Sequence, residues 1–178
     1  MSQVQERTRE EVRAARVAKR AEAEALGVDE AFVSRMVEHF YAAIREDDLL
    51  GPIFAERIDD WPEHLGRMKA FWRSILFNSG EFSGNPMRKH MAIPGLEERH
   101  FAHWLELFYA TLRALEEDPG GTSLVAMRAR SIADSLLTGI AVRRDGSEYD
   151  AKRPTPTAVT TTTTERRSWL QSMSTSEP

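Results

Sequence analysis

The chain has no cysteine among its 178 residues. That absence removes disulfides, thiolate-held zinc, iron–sulfur clusters and cysteine nucleophiles, so any metal must be held by nitrogen or oxygen. Long apolar runs are missing too: nothing reaches the ~20 residues of a membrane-spanning helix. The N-terminus lacks the roughly 7–15-residue apolar segment of a secretory signal, which makes the cytoplasm the expected compartment. Basic charge is not in excess, with 24 Lys and Arg against 28 Asp and Glu and a net charge of −4. Neither nucleic acid nor an anionic membrane is therefore an expected partner. Strand-type alternation, internal repeats, a Gly-rich phosphate loop and a Gly-x-Ser-x-Gly elbow are all absent. What remains, 41% hydrophobic and 29% charged, is the composition of a globular domain.

Helical periodicity fills most of that domain. Residues 1–27 are rich in Ala, Glu and Arg with few large apolar side chains, and read as a solvated helical extension or partly ordered arm. Gly27 breaks that pattern. Asp29 then caps a helix in which Phe32, Val33, Met36, Val37, Phe40, Ala43 and Ile44 recur at helical spacing. Tyr41 follows toward the same side, so its hydroxyl needs a partner at the edge of the core. Asp47 to Phe54 reads as a corner followed by a short helical turn begun by Pro52.

Asp60, Pro62 and Glu63 start the most informative helix, which runs to Phe77. Its residues His64, Arg67, Met68, Phe71 and Trp72 sit at i, i+3, i+4, i+7 and i+8 and share one face. Taken alone, this is an amphipathic helix with a histidine at the core's edge. A loop from Asn78 to Pro86 precedes a brief helix, Met87 to Met91, in which His90 is the last polar residue. A longer helix carries Leu96, Phe101, Trp104, Leu105, Phe108, Leu112 and Leu115 and ends at Asp118-Pro119-Gly120-Gly121; a final one begins near Thr122. Residues 143–178, rich in Thr, Pro and Ser, read as a disordered tail with Trp169-Leu170 its sole apolar anchor. The all-α domain thus spans residues 28–142.

Several metal chemistries can be weighed. A carboxylate di-iron bundle needs two Glu-x-x-His pairs, and only Glu97 to His100 has that spacing. His100 and His103 are i, i+3 and could chelate zinc, but matching third and fourth ligands are lacking, so a surface or rim position fits them better. His39 points away from Phe40 and Tyr41 toward solvent. There remain His64, His90, Tyr41 and eight large aromatics, Phe40, Phe54, Phe71, Trp72, Phe82, Phe101, Trp104 and Phe108. Broad aromatic faces, one neutral imidazole and polar groups elsewhere are what a flat apolar macrocycle with an axial metal requires. A haem-free helical interaction module, with the aromatics as plain core and the tails as partner arms, is the alternative.

The order and spacing of these residues add a resemblance. Phe40-Tyr41 with Ile44-Arg45, Leu50-Gly51-Pro52-Ile53-Phe54, Trp61-x-x-His64, Phe71-Trp72, Gly84-x-Pro86, Lys89-His90 and Phe101-x-x-Trp104-Leu105 resemble the group III truncated haemoglobins over nearly all of residues 28–142. The glycine pairs at helix junctions that mark the other groups are missing. Met91-Ala92-Ile93 departs from the usual leucine pattern after the proximal histidine.

The resemblance implies a truncated globin fold, a two-over-two helical sandwich, with haem b as cofactor. It implies His90 as the iron ligand and Tyr41, His64 and Trp104 as the residues acting on the bound molecule. Phe40, Phe54, Met68, Phe71 and Trp72 would pack on the macrocycle, with Arg67 and Arg88 as its charged partners. His64 would gate access, and direct binding to iron stays open. The implied ligands are the diatomic gases O2, NO and CO, in redox chemistry or sensing rather than bulk transport. A nitric oxide dioxygenase or peroxidase-like activity, fed by an unidentified reductase, is the corresponding enzymatic expectation.

Overall fold

The computed structural model describes residues 2–115 and 118–152, with side chains described from Glu6 to Arg144 within those limits. Helices follow in the order α1 (Ser2–Ala25), α2 (Glu30–Glu46), α3 (Gly51–Ala55), α4 (Trp61–Phe77), α5 (Pro86–Met91), α6 (Glu98–Ala114) and α7 (Pro119–Lys152). No strand occurs among the described residues. Local chemistry sets most of the starts. Asp29 Oδ1 accepts the Phe32 N–H at 2.7 Å, Asp60 Oδ1 the Glu63 N–H at 2.9 Å, and Asn85 Oδ1 the Arg88 N–H at 2.9 Å. Each cap satisfies an amide that the helix itself cannot. Asn78, at φ 56°, closes α4 in the left-handed conformation that asparagine tolerates.

The body of the molecule runs to Arg144. Its centre is α2, which packs against α3, α4 and α6. Phe32, Met36, Phe40 and Ile44 of α2 meet Trp72, Leu76 and Phe77 of α4 and Phe101, Leu105, Phe108 and Leu112 of α6 in one core. From α7 come Val125, Ala129, Ala133, Leu136 and Ile140, a stripe at helical spacing. The result is a two-over-two helical sandwich. Each large side chain so buried contributes roughly 1.5–3 kcal/mol. The half of α4 up to Lys69, with Phe71 just beyond it, differs: His64, Met68 and Phe71 are only half-buried although they share the stripe with buried Trp72. That half faces a cavity instead of packed neighbours.

Three boundaries depart from expectation. The C-terminal part of α1 is docked, not solvated: Ala23 is buried, Lys19 Nζ donates to Ile75 O at 2.9 Å, and the Arg20 guanidinium lies 5.5 Å from the Phe77 ring centre. Long charged side chains make that contact, so it leaves no apolar stripe in the sequence. Asp118-Pro119 begins α7 rather than ending α6. Asp118 Oδ1 accepts the Gly120 N–H at 2.7 Å, and a Cβ on Gly121 would lie 2.2 Å from Leu26 O, so glycine lets this first turn reach the Leu26 backbone. Finally, α7 runs past Val142 to Lys152, where a disordered tail was expected. Charged residues without an apolar face carry no compositional sign of helix. Trp169-Leu170 and the rest of residues 153–178 lie outside the described residues.

Candidate functional site

A cavity of about 300 Å³ opens beneath α3 and the first half of α4. Leu50, Ile53 and Phe54 line it from the α3 segment, and His64, Met68, Phe71 and Trp72 from α4. The short α5 presents His90, α6 presents His100, Phe101 and Trp104, and α7 closes it with Ile132, Ala133 and Leu136. Tyr41 enters from α2. Behind the lining stands a stack of rings: Phe108, fully buried, lies 5.1 Å from Trp72 and 5.2 Å from Trp104, both nearly parallel to it. Phe40 meets Trp104 and Phe108 edge-on. Such contacts fix the cavity wall before anything binds.

Two histidines stand out by their ring nitrogens. The Nδ1 of His90 lies 2.7 Å from Pro86 O, and since a carbonyl can only accept, Nδ1 carries the proton. In the neutral ring Nε2 then keeps a bare lone pair, which is the state of a metal-ligating imidazole oriented by a backbone carbonyl. His64 is boxed by Tyr41, Trp61 and Phe54 at ring distances of 5.1, 5.8 and 6.4 Å, each edge-on. Its Nε2 is buried without a hydrogen-bond partner. Burial holds its pKa below the ordinary imidazole value, and the charges of Arg67 and Lys89 add to that, so the ring is neutral near pH 7. Burial likewise pushes the Tyr41 phenol upward and keeps it a protonated donor.

The other expected residues divide. Phe54, Arg67, Met68, Phe71, Trp72 and Trp104 all line the cavity. Phe40 does not: it is buried one layer behind, edge-on to Tyr41 at 5.1 Å. Arg88 does not either; it is exposed, and its neighbour Lys89 faces the cavity. Successive helical residues point about 100° apart, so a neighbour of a lining residue need not itself face the cavity. Arg67 ion-pairs loosely with Glu63 at 3.4 Å.

His100 and His103 are not a chelating pair. The Glu97 N–H donates to His100 Nδ1 at 3.0 Å, the return half of a capping box, while His103 Nε2 lies 2.6 Å from Asp47 Oδ2. His100 is buried and lines the cavity, where a rim position was expected. Its presence there has one sequence signal, the Glu-x-x-His spacing at a helix start.

These residues fit a flat, metal-centred macrocycle. Among the described residues no three His, Asp or Glu side chains gather as a metal cluster, so a metal at His90 needs most of its donors from a bound group. The cavity offers that group aromatic and aliphatic walls, an unpartnered nitrogen on His64 and three cations, Arg57, Arg67 and Lys89, with no carboxylate in the described lining.

Helices in this order around such a cavity define a truncated globin. No family model matches the chain. It is 30% identical over 110 residues to the group 3 truncated hemoglobin ctb of Campylobacter jejuni, covering 60% of this chain and 86% of that one. The crystal structure of a group III truncated hemoglobin from Campylobacter jejuni superposes with a TM-score of 0.60 at 28% identity, over 63% of this chain and 91% of the other. The 2/2 hemoglobin of Synechococcus sp. PCC 7002, solved in the cyanomet state with covalently attached heme, shares the fold with a TM-score of 0.56 at 23% identity, over 66% and 94%. The chain belongs to the group III truncated haemoglobins.

Proposed function

We propose that the cavity holds haem b, with His90 Nε2 as the protein's ligand to iron, and that the chain performs redox chemistry or sensing on O2, NO or CO rather than bulk transport. The observation that carries this is the Nδ1–H of His90 on Pro86 O, which leaves Nε2 bare in an aromatic cavity. Family membership supports haem as the group. With no cysteine, thioether attachment is excluded, which favours non-covalent haem b. Arg57, Arg67 and Lys89 give its two carboxylates cationic partners. The haem-free interaction module is disfavoured, because aromatics serving as plain core would fill the space that Phe71 and Met68 leave open.

Haem, when bound, supplies an iron that takes up a diatomic molecule and exchanges electrons with it. The chain's own part is electrostatic. Tyr41 keeps its proton because burial opposes phenolate, and with Trp104 it brings a donor to the lining. His64 stays neutral and, in its box of rings, controls access. A donor aimed at a partly negative ligand contributes about 1.5–3 kcal/mol, which slows release roughly tenfold to a hundredfold. Slow release is unsuited to carriage and suits conversion, as in a nitric oxide dioxygenase or peroxidase-like reaction fed by a reductase.

The test is oxygen release from the haem-loaded chain by stopped flow. Tyr41→Phe is expected to speed it by at least about tenfold. An unchanged rate removes the basis for assigning conversion.

A further inference from the structure

The α3 wall of the cavity, which packs on α2, is tied at its start to α6 by one carboxylate. Helix α3 has five residues, Gly51–Ala55, with no side-chain cap at its N-terminus, too short to persist by its own hydrogen bonds. It contributes Ile53 and Phe54 to the cavity, just after Leu50. What fixes its start is Asp47. One carboxylate oxygen, Oδ1, accepts the backbone N–H of Leu49 at 3.0 Å and of Leu50 at 2.8 Å. The other, Oδ2, accepts from His103 Nε2 at 2.6 Å. Asp47 thus joins the corner after α2 to α6, at the residue next to Trp104. Its side chain is 14% exposed and that of His103 32%, so the pair is partly shielded from water.

We propose that Asp47 and His103 form a latch that fixes the α3 wall of the cavity, which makes them positioning residues for ligand entry and release. The effect on ligand rates rests on the haem reading above; the effect on α3 does not. The charged groups that act on the His103 ring are Asp47, from the corner, and Glu106, whose Oε2 lies 3.5 Å from Nδ1 on α6 itself. The hydrogen bond to Asp47, with smaller help from Glu106, holds the imidazole pKa above its ordinary value. Burial pushes the Asp47 carboxyl up, but hydrogen bonds from His103, Leu50 and Leu49 outweigh it and leave the group below its usual range. A group whose folded pKa is raised contributes fully below its unfolded value, near 6.5 for histidine, and loses that contribution as pH rises through the folded one. The latch is therefore strongest in mild acid and loosens in mild base, when a charge-assisted bond becomes a neutral one.

Two readouts on the full chain test this. Amide hydrogen exchange, corrected for intrinsic rates, compares residues 49–55 with α4. In His103→Phe the protection of 49–55 should fall about tenfold or more while α4 is unmoved, and the unaltered chain should show a smaller loss confined to the same segment between about pH 6 and 9. His103→Gln keeps a neutral N–H donor for Asp47 but cannot titrate, so its protection should match that of the unaltered chain at high pH and show no pH dependence. With haem loaded, rebinding of carbon monoxide after flash photolysis should quicken severalfold in His103→Phe and with rising pH, and stay flat in His103→Gln. Failure to bind haem would sink the reading above and leave the exchange comparison standing. Equal protection of 49–55 in His103→Phe and the unaltered chain would overturn the latch, as would pH-independent exchange of that segment.

Discussion

At the scale of single residues, His64 carries a measurable cost. Its ring is enclosed by Tyr41, Trp61 and Phe54, and its pKa is depressed first by burial and then by Arg67 and Lys89. The unfolded chain takes up a proton there near pH 6.5, whereas the folded chain resists until lower pH, so stability is lost as pH falls through that window. His64→Phe removes the resisting group. Its melting temperature should fall less steeply than that of the unaltered chain between about pH 7 and 5; parallel slopes would contradict the assignment. Which side chains meet at the cavity was partly legible in the sequence. Tyr41, His64, His90 and Trp104 lie on separate helices and share no periodicity, so only their order and spacing connect them. Phe40 and Arg88, which the resemblance implies as cofactor contacts, adjoin lining residues but do not line the cavity, because adjacent helical side chains need not share a face. The capping role of His100 left only the Glu97-x-x-His100 spacing in the sequence, a pattern that metal ligation would share.

At the scale of elements, helix starts were legible where a capping side chain defines them, as at Asp29 and Asp60. Contacts made by long polar side chains were not. The docking of α1 depends on Lys19 reaching Ile75 O, on Arg20 over Phe77 and on the small side chain of Ala23 in the core. Two truncations separate the halves of this helix. Removing residues 2–15, of which 6–15 are exposed, should change stability by less than about 0.5 kcal/mol. Removing residues 2–26 uncovers Leu76 and Phe77 and should cost about 1–3 kcal/mol in denaturant unfolding. Equal effects of the two would show that α1 does not dock through its second half.

At the scale of the molecule, the fold places His90, with its Nδ1 bonded to a backbone carbonyl, at a cavity that an otherwise packed core leaves open. No residue pattern distinguishes that cavity from solid core: Phe71, Trp72 and Phe101 have the spacing of ordinary buried stripes, and Met68 and Leu136 would fill either equally well. The family resemblance, not the periodicity, pointed to an enclosed group. In three dimensions the distinction lies in half-buried α4 residues, an unpartnered nitrogen on His64 and a described lining with three cations and no carboxylate. The account's central claim is that His90 Nε2 binds the iron of haem. The most direct measurement is the ferrous absorption spectrum of haem-loaded His90→Gly with and without added imidazole. The unaltered chain should show a histidine-ligated spectrum, the variant should lose it, and free imidazole should restore it by filling the space the side chain leaves. A variant whose spectrum matches the unaltered chain without imidazole would contradict the claim.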